Sequence, residues 1–188
     1  MPKENKAAFI ILGLLNHEDL SGYDIKKQID MGISRFWEVG YGQIYPSLKS
    51  LVDAGHIVKK DTETDKGPEK IIYSITKSGR EALMEWLRIP EMKESAKYDI
   101  LLKLYFGNML STQDNIDRIQ LFEKKHLGNQ EMMRFFKGNL EKVLDEDKDH
   151  LYYYLTVLFG EKMYDAYVSW AKEAKTILEK YKEDNSEN

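Results

Sequence analysis

The sequence predicts a mainly α-helical chain with one small β-hairpin, and three observations carry that prediction. Between Tyr41 and Tyr73, Ile44, Leu48 and Leu51 recur at spacings of four and three, which is one face of a helix. Two strand-like runs follow at once, residues 57–60 and 70–75, joined by a charged connector with Gly67-Pro68 as its turn signal. From Leu151 onward apolar residues again step by three and four, without interruption, almost to the end of the chain. Two helical runs precede Tyr41. Two helices, a third outward-facing helix and a charged hairpin are the layout of a winged helix-turn-helix. The expected architecture is therefore an N-terminal winged helix-turn-helix, residues 1–89, and a C-terminal α-helical domain, residues 90–188.

The elements follow in order. Ala8, Ile11, Leu12 and Leu15 define a first helix over residues 5–16, stopped near Asn16. Ser21 caps a second, with Asp24 favouring its positive end and Ile25, Ile29 and Phe36 inward. Pro46 lacks an N–H, so the third helix begins about one turn before it; Gly55, the residue type suited to a left-handed exit, closes it. Thr76 caps a fourth helix whose apolar side is Leu83, Trp86 and Leu87, bounded by Pro90. PEMKES then reads as a linker. Residues 96–107 form a helix with Ile100, Leu101, Leu104 and Tyr105 inward, and Ser111 to Asp114 start another. That one is long and polar, or two consecutive helices with a weak point at Gly128 or Gly138. DEDKD, residues 145–149, is a connector or first turn, and the tail KEDNSEN is polar and frayed.

Composition bounds what such a chain can do. A length of 188 residues accommodates one large domain or two small ones. The net charge is −4. Up to Ile89, 13 Lys and Arg balance 13 Asp and Glu, leaving 15 against 19 in the remainder. A phosphate-binding domain is usually basic as a whole. Here attraction must come from local placement of Lys49, Lys59, Lys60, Lys66 and Lys70. There is no cysteine, which excludes disulfides and thiolate metal sites and fits a cytoplasmic location. No apolar run reaches the ~20 residues that span a bilayer, and the N-terminus does not read as a signal peptide. His17, His56, His126 and His150 are scattered, GYGQ lacks the lysine of a phosphate loop, and no serine stands in a nucleophile elbow. Neither an enzyme nor a cofactor is expected.

The candidate functional residues lie off the core stripes. Gln43, Lys49 and Ser50 face away from Ile44, Leu48 and Leu51, and are groove-reading and phosphate-contacting types. Tyr45 stands at the stripe's edge, where it either packs or offers its hydroxyl to a phosphate. Ser21 and Tyr23 open the preceding helix, where a helix N-terminus can meet the DNA backbone; for Ser21 capping alone is the competing reading. Lys66 and Lys70 on the wing either contact phosphate or solubilise the hairpin, with Asp61, Glu63, Asp65 and Glu69 interspersed. In the second half Phe159, Met163, Trp170, Ile177 and Tyr181 form one apolar line along the last helix, and Tyr164, Tyr167, Ala171 and Leu178 a second. Two stripes on one long helix exceed what a small domain covers, so the first line is expected at a homodimer interface. The aromatic residues from Tyr152 to Trp170 either line a pocket for a flat molecule or pack.

GQIYPSLKSLVDAGHI, followed by KGPEKIIYSITKSGR and preceded by GLLNHEDLSGYDIKKQI, resembles the PadR family of bacterial transcriptional regulators. The similarity is strong over residues 5–89. It continues more weakly through KYDILLKLYFGNMLS, like the longer C-terminal domain of the phenolic-acid regulators. The resemblance implies a homodimer that binds a pseudo-palindromic double-stranded operator, acts as a repressor and responds to a small, aromatic or amphipathic effector. The alternative is a protein-interaction adaptor that keeps the winged fold without sequence-specific DNA binding, which the balanced charge of the first half leaves open.

Overall fold

In the computed structural model, which describes residues 5–62, 70–90 and 96–184, the chain divides into two compact units, residues 1–93 and 94–188. The N-terminal unit is built on α1 (Lys6–His17), α2 (Gly22–Met31), α3 (Tyr41–Asp53) and α4 (Lys77–Leu87), with a 3-10 turn at Ile33–Arg35. The Asn5 side chain caps α1 by accepting from Ala8 N. Ala7, Ile11, Leu12 and Leu15 then fall on one buried face. Ile11, Leu12 and Leu15 meet Ile25 and Ile29 of α2, Ile44, Leu48 and Leu51 of α3, and Leu83 of α4 in one core. Phe9 adds a stacked contact to Trp86, ring centroids 4.7 Å apart.

Three antiparallel strands close this unit: β1 (Leu20–Ser21), β2 (Ile57–Thr62) and β3 (Lys70–Ile75), in the order β1-β3-β2. β2 pairs with β3 from Ile57↔Ile75 to Thr62↔Lys70, as the hairpin reading expected. β1 was not anticipated. Two residues are too short for a period-two signal, and Leu20 and Ser21 become a strand only because Tyr73 and Ile72 lie opposite. The link from α3 into β2 is a tight corner. Gly55 takes a left-handed φ of 71°. Thr76 caps α4, accepting from Gly79 N at 3.1 Å, while its hydroxyl donates to the Gly55 and His56 carbonyls. A Cβ on Gly79 would stand 2.1 Å from the His56 carbonyl oxygen, so this crossing admits glycine alone.

The C-terminal unit consists of α5 (Asp99–Tyr105), a 3-10 turn at Gly107–Met109, α6 (Thr112–Leu140) and α7 (Lys148–Asp184). α6 is one continuous helix, so neither Gly128 nor Gly138 breaks it. A helical glycine costs about 1 kcal/mol. Here a capping box between Ser111 and Asp114 and the length of α7 packed alongside outweigh that cost. The two helices run antiparallel, as their cross-links show: Lys182 to Gln113 at 2.7 Å, Lys175 to Glu123 at 2.7 Å, Gln130 to Asp165 at 2.6 Å and Lys137 to Glu161 at 2.9 Å. Glu123 and Glu161 are buried, and slipping the helices by one turn would leave both carboxylates unpaired, so these rungs select the register. Residues 145–147 belong to the connector, and Lys148 and Asp149 open α7.

Several apolar positions face outward instead of inward. Phe36 and Leu87 are exposed, as are Leu101 and Tyr105 of α5; only Ile100 and Leu104 of that helix reach the cluster with Ile119, Phe122 and Ala171. The core line of α7 is the second stripe, with Val168 and Ala171 buried and Tyr164, Tyr167 and Leu178 half-buried against α6.

Candidate nucleic-acid interface

α3 sets the site. Ile44, Leu48 and Leu51 bury one side of it, and a hydrogen bond from Asn5 Nδ2 to Ser47 Oγ, 3.1 Å, ties that side to the start of α1. Ser47 reads as polar in the sequence and carried no signal of this role. With the inner face held, Gln43, Lys49 and Ser50 are exposed together on the outer one. Tyr45 packs at the edge of the stripe and still stays exposed. Its ring edge lies over Gly22, where a Cβ would stand 3.0 Å from it, yet 63% of the residue is exposed.

At the start of α2 the expected pair separates. Tyr23 is exposed. Ser21 is 4% exposed; its hydroxyl donates to Asp24 Oδ2 at 2.6 Å and accepts from Asp24 N at 3.2 Å. Its side chain is therefore a cap and not an outward contact. The Asp24 carboxylate also accepts from Ser21 N at 3.4 Å, so an anion already sits at this helix end, where a phosphate would have to bind.

The wing carries Lys59 and Lys60 outward on β2. Lys60 is bound to Asp19 at 2.6 Å, and that contact holds the Asp19 carboxyl below the ordinary range. Lys59, the preceding residue of the strand, is exposed and points to the opposite face. Lys70 begins β3 opposite Thr62, while Lys66 lies outside the described residues. Among the described residues no group of three or more His, Asp or Glu could hold a metal ion, and no helix is long and apolar enough to cross a membrane.

In the C-terminal unit Tyr164, Tyr167 and Trp170 gather with Phe122 and His126 in a packed aromatic cluster, while Tyr152 and Phe159 stay exposed. Tyr98 and Tyr167 share a hydroxyl hydrogen bond of 2.8 Å, and burial, then this bond, push the Tyr167 phenol up. Of the expected dimerisation line, Phe159, Ile177 and Tyr181 are exposed and Met163 is half-buried. Trp170 instead turns against Phe122 of its own chain, ring centroids 5.5 Å apart.

A buried-faced helix presenting a polar outer face beside a two-stranded wing defines a winged helix-turn-helix protein. A family profile described as "Transcriptional regulator PadR-like family" matches residues 11–85, and one described as "Virulence activator alpha C-term" matches residues 96–179. The negative transcriptional regulator PadR of Bacillus subtilis (strain 168) is 32% identical over 179 residues, which is 92% of this chain and 97% of that protein. The crystal structure of Bacillus subtilis PadR in complex with operator DNA matches with a TM-score of 0.76 at 31% identity, covering 91% of this chain and 98% of that one. The same protein in complex with p-coumaric acid matches with a TM-score of 0.69 at 30% identity, covering 91% and 97%. The chain belongs to the PadR family of transcriptional regulators, a family of DNA-binding proteins and not of enzymes.

Proposed function

We propose that this protein is a cytoplasmic homodimeric repressor that binds a pseudo-palindromic operator and is released from it by a small aromatic effector. In this reading residues 1–89 bind DNA, and residues 90–188 hold the dimer and receive the effector. The observation that carries the reading is the division of α3, with Ile44, Leu48 and Leu51 buried behind an exposed Gln43, Lys49 and Ser50. The operator complex and the p-coumaric acid complex of Bacillus subtilis PadR support it. A two-fold dimer sets two copies of α3 in successive major grooves, about one helical turn apart. An effector that favours another packing of the C-terminal helices breaks that spacing. To move the population from 1:99 to 99:1 it must prefer that packing by about 5.5 kcal/mol.

The test is binding to the intergenic DNA beside the protein's own gene, followed across a salt series. Lys49→Ala should weaken binding uniformly across sequences and lower the salt slope by about one, as loss of one phosphate contact does. Unchanged affinity at low salt would remove Lys49 from the interface. The balanced charge of the first half favours one second reading, an interaction adaptor that keeps the fold without reading DNA. No salt-dependent shift with any promoter fragment would select it.

A further inference from the structure

We propose that Asn5 is a positioning residue for sequence reading: through Ser47 it holds the first half of α3, and Gln43 with it, against the start of α1. The proposal rests on the DNA-binding reading above. The first half of α3 has little of its own to fix it. Its N-cap is Gly40, which offers no side-chain cap, and Gly42 sits in the first turn, where glycine weakens a helix. Pro46 lacks an N–H, so the bond to the carbonyl one turn back is missing as well. Ile44 is buried on the inner side. Toward α1, however, the two helix starts are parted by a groove of about 560 Å³, lined by Asn5 and Lys6 from one and by Gly42, Gln43 and Pro46 from the other. Lys49 and Ser50 lie on the second half, where Leu48 and Leu51 set the helix in the dense core.

One side-chain pair bridges the two helix starts. Ser47 Oγ accepts from Asn5 Nδ2 at 3.1 Å and lies 3.3 Å from Asn5 Oδ1, to which it can donate. Ser47 is 2% exposed, so water does not compete for it. Asn5 is itself fixed to α1, because its Oδ1 accepts from Ala8 N at 3.4 Å. Ser47 follows Gln43 by four residues, one turn along the same side of the helix, so whatever holds Ser47 also sets where Gln43 stands. Base edges are read by hydrogen bonds of fixed geometry, and phosphates by charge. A loosened Gln43 therefore loses discrimination between sequences, while the lysines keep their general attraction for DNA.

The experiment compares the affinity of the full-length protein for the promoter fragment beside its own gene with its affinity for a random duplex of equal length. Ser47→Ala should lower the ratio of the two about fivefold or more, the scale of one base contact, and leave random-duplex affinity and salt slope unchanged. Asn5→Ser keeps a capping hydroxyl for α1 but is too short to reach Ser47, whose own hydroxyl can turn to the carbonyl one turn back. It should lose the same ratio, and the double variant should lose no more than either single one. Asn5→Asp keeps both acceptor roles and should restore the wild-type ratio, whatever its charge does to both duplexes alike. In the free protein, amide exchange over residues 41–47 should quicken in Ser47→Ala and Asn5→Ser and not in Asn5→Asp. A wild-type ratio in both Ser47→Ala and Asn5→Ser would overturn the positioning role and leave the DNA-binding reading standing. Equal losses on the two duplexes would also overturn it, since damage to the fold or to phosphate contacts does that. A wild-type protein that prefers no promoter fragment over random DNA would overturn both.

Discussion

The two units of this chain bury themselves in different ways. Of the nine largest side chains that are almost fully buried among the described residues, eight lie in the N-terminal unit and only Ile119 in the C-terminal one. In the first unit four helices and a three-stranded sheet share one core, and the proposed DNA-reading face is the polar side of α3. The second has a thin core of Ile100, Ile119 and Ala171, two buried carboxylates along the α6–α7 seam, and exposed apolar side chains on all three helices. Large exposed apolar patches are uncommon on isolated soluble proteins. The contrast separates a part packed around one thick core from a part with a thin core, and the thin core is what the proposed homodimer would complete. Regulation fits the second, since thinly packed elements change arrangement at lower cost than close-packed ones.

The sharpest break of this comparison is Leu48→Ala. Leu48 is 1% exposed in the dense core, so truncation should cost about 2–5 kcal/mol. In a two-step melt the loss should fall on the winged unit and leave self-association intact. A melt identical to wild type would mean that α3 faces the other way, and Gln43 and Lys49 would lose their assignment with it.

Next in size is the reverse experiment, Phe159→Asp with Ile177→Asp. Both residues are more than half exposed in the single chain, so neither change disturbs the monomer's own packing. At a dry two-fold seam the same changes bury unpaired charge, at about 3 kcal/mol or more, which is over a hundredfold in dissociation constant. Sedimentation should show monomers where wild type is dimeric, and a full operator should be bound far more weakly. A variant that stays dimeric at micromolar concentration would move the interface away from this line of α7. Trp170 is unsuited to the test, because its ring supports Phe122 and its loss would damage both structures at once.

How far each unit was legible in the sequence follows from the same contrast. In the winged unit the period of Ile44, Leu48 and Leu51 has one interpretation, because polar residues separate it cleanly from the outer face. The hairpin and the caps at Ser21, Thr76 and Ser111 are local, and local signals survive in sequence. What escaped was non-local: the two-residue strand at Leu20, which exists only through Tyr73, and the bond from Asn5 to Ser47. In α7 both faces are apolar, so spacing alone does not say which is covered within the chain and which is left for a partner. Glu123 and Glu161 obscured α6 further, since a buried carboxylate paired across a seam reads as a solvated one.

The smallest expected effect tests the thin core from inside. His126 lies between Phe122, Tyr167 and Tyr164, at centroid distances of 4.2, 5.0 and 5.5 Å, and its Nδ1 is buried without a hydrogen-bond partner. Burial, and then the charge of Lys125, hold the imidazole below its ordinary value of 6.5. The folded state therefore keeps His126 neutral where the unfolded chain takes up a proton. That stability is complete above pH 6.5 and is lost as pH falls from there through the depressed folded value. His126→Phe removes both the titration and the unpaired nitrogen while conserving a ring. The variant should equal or exceed wild type in melting temperature at about pH 8, and its advantage should widen steadily toward about pH 5. The difference between the two proteins is the measurement, because the titration of every other group is common to both. An advantage that stays constant across that range would mean that His126 protonates as readily folded as unfolded, and that the aromatic cluster around it is open to water.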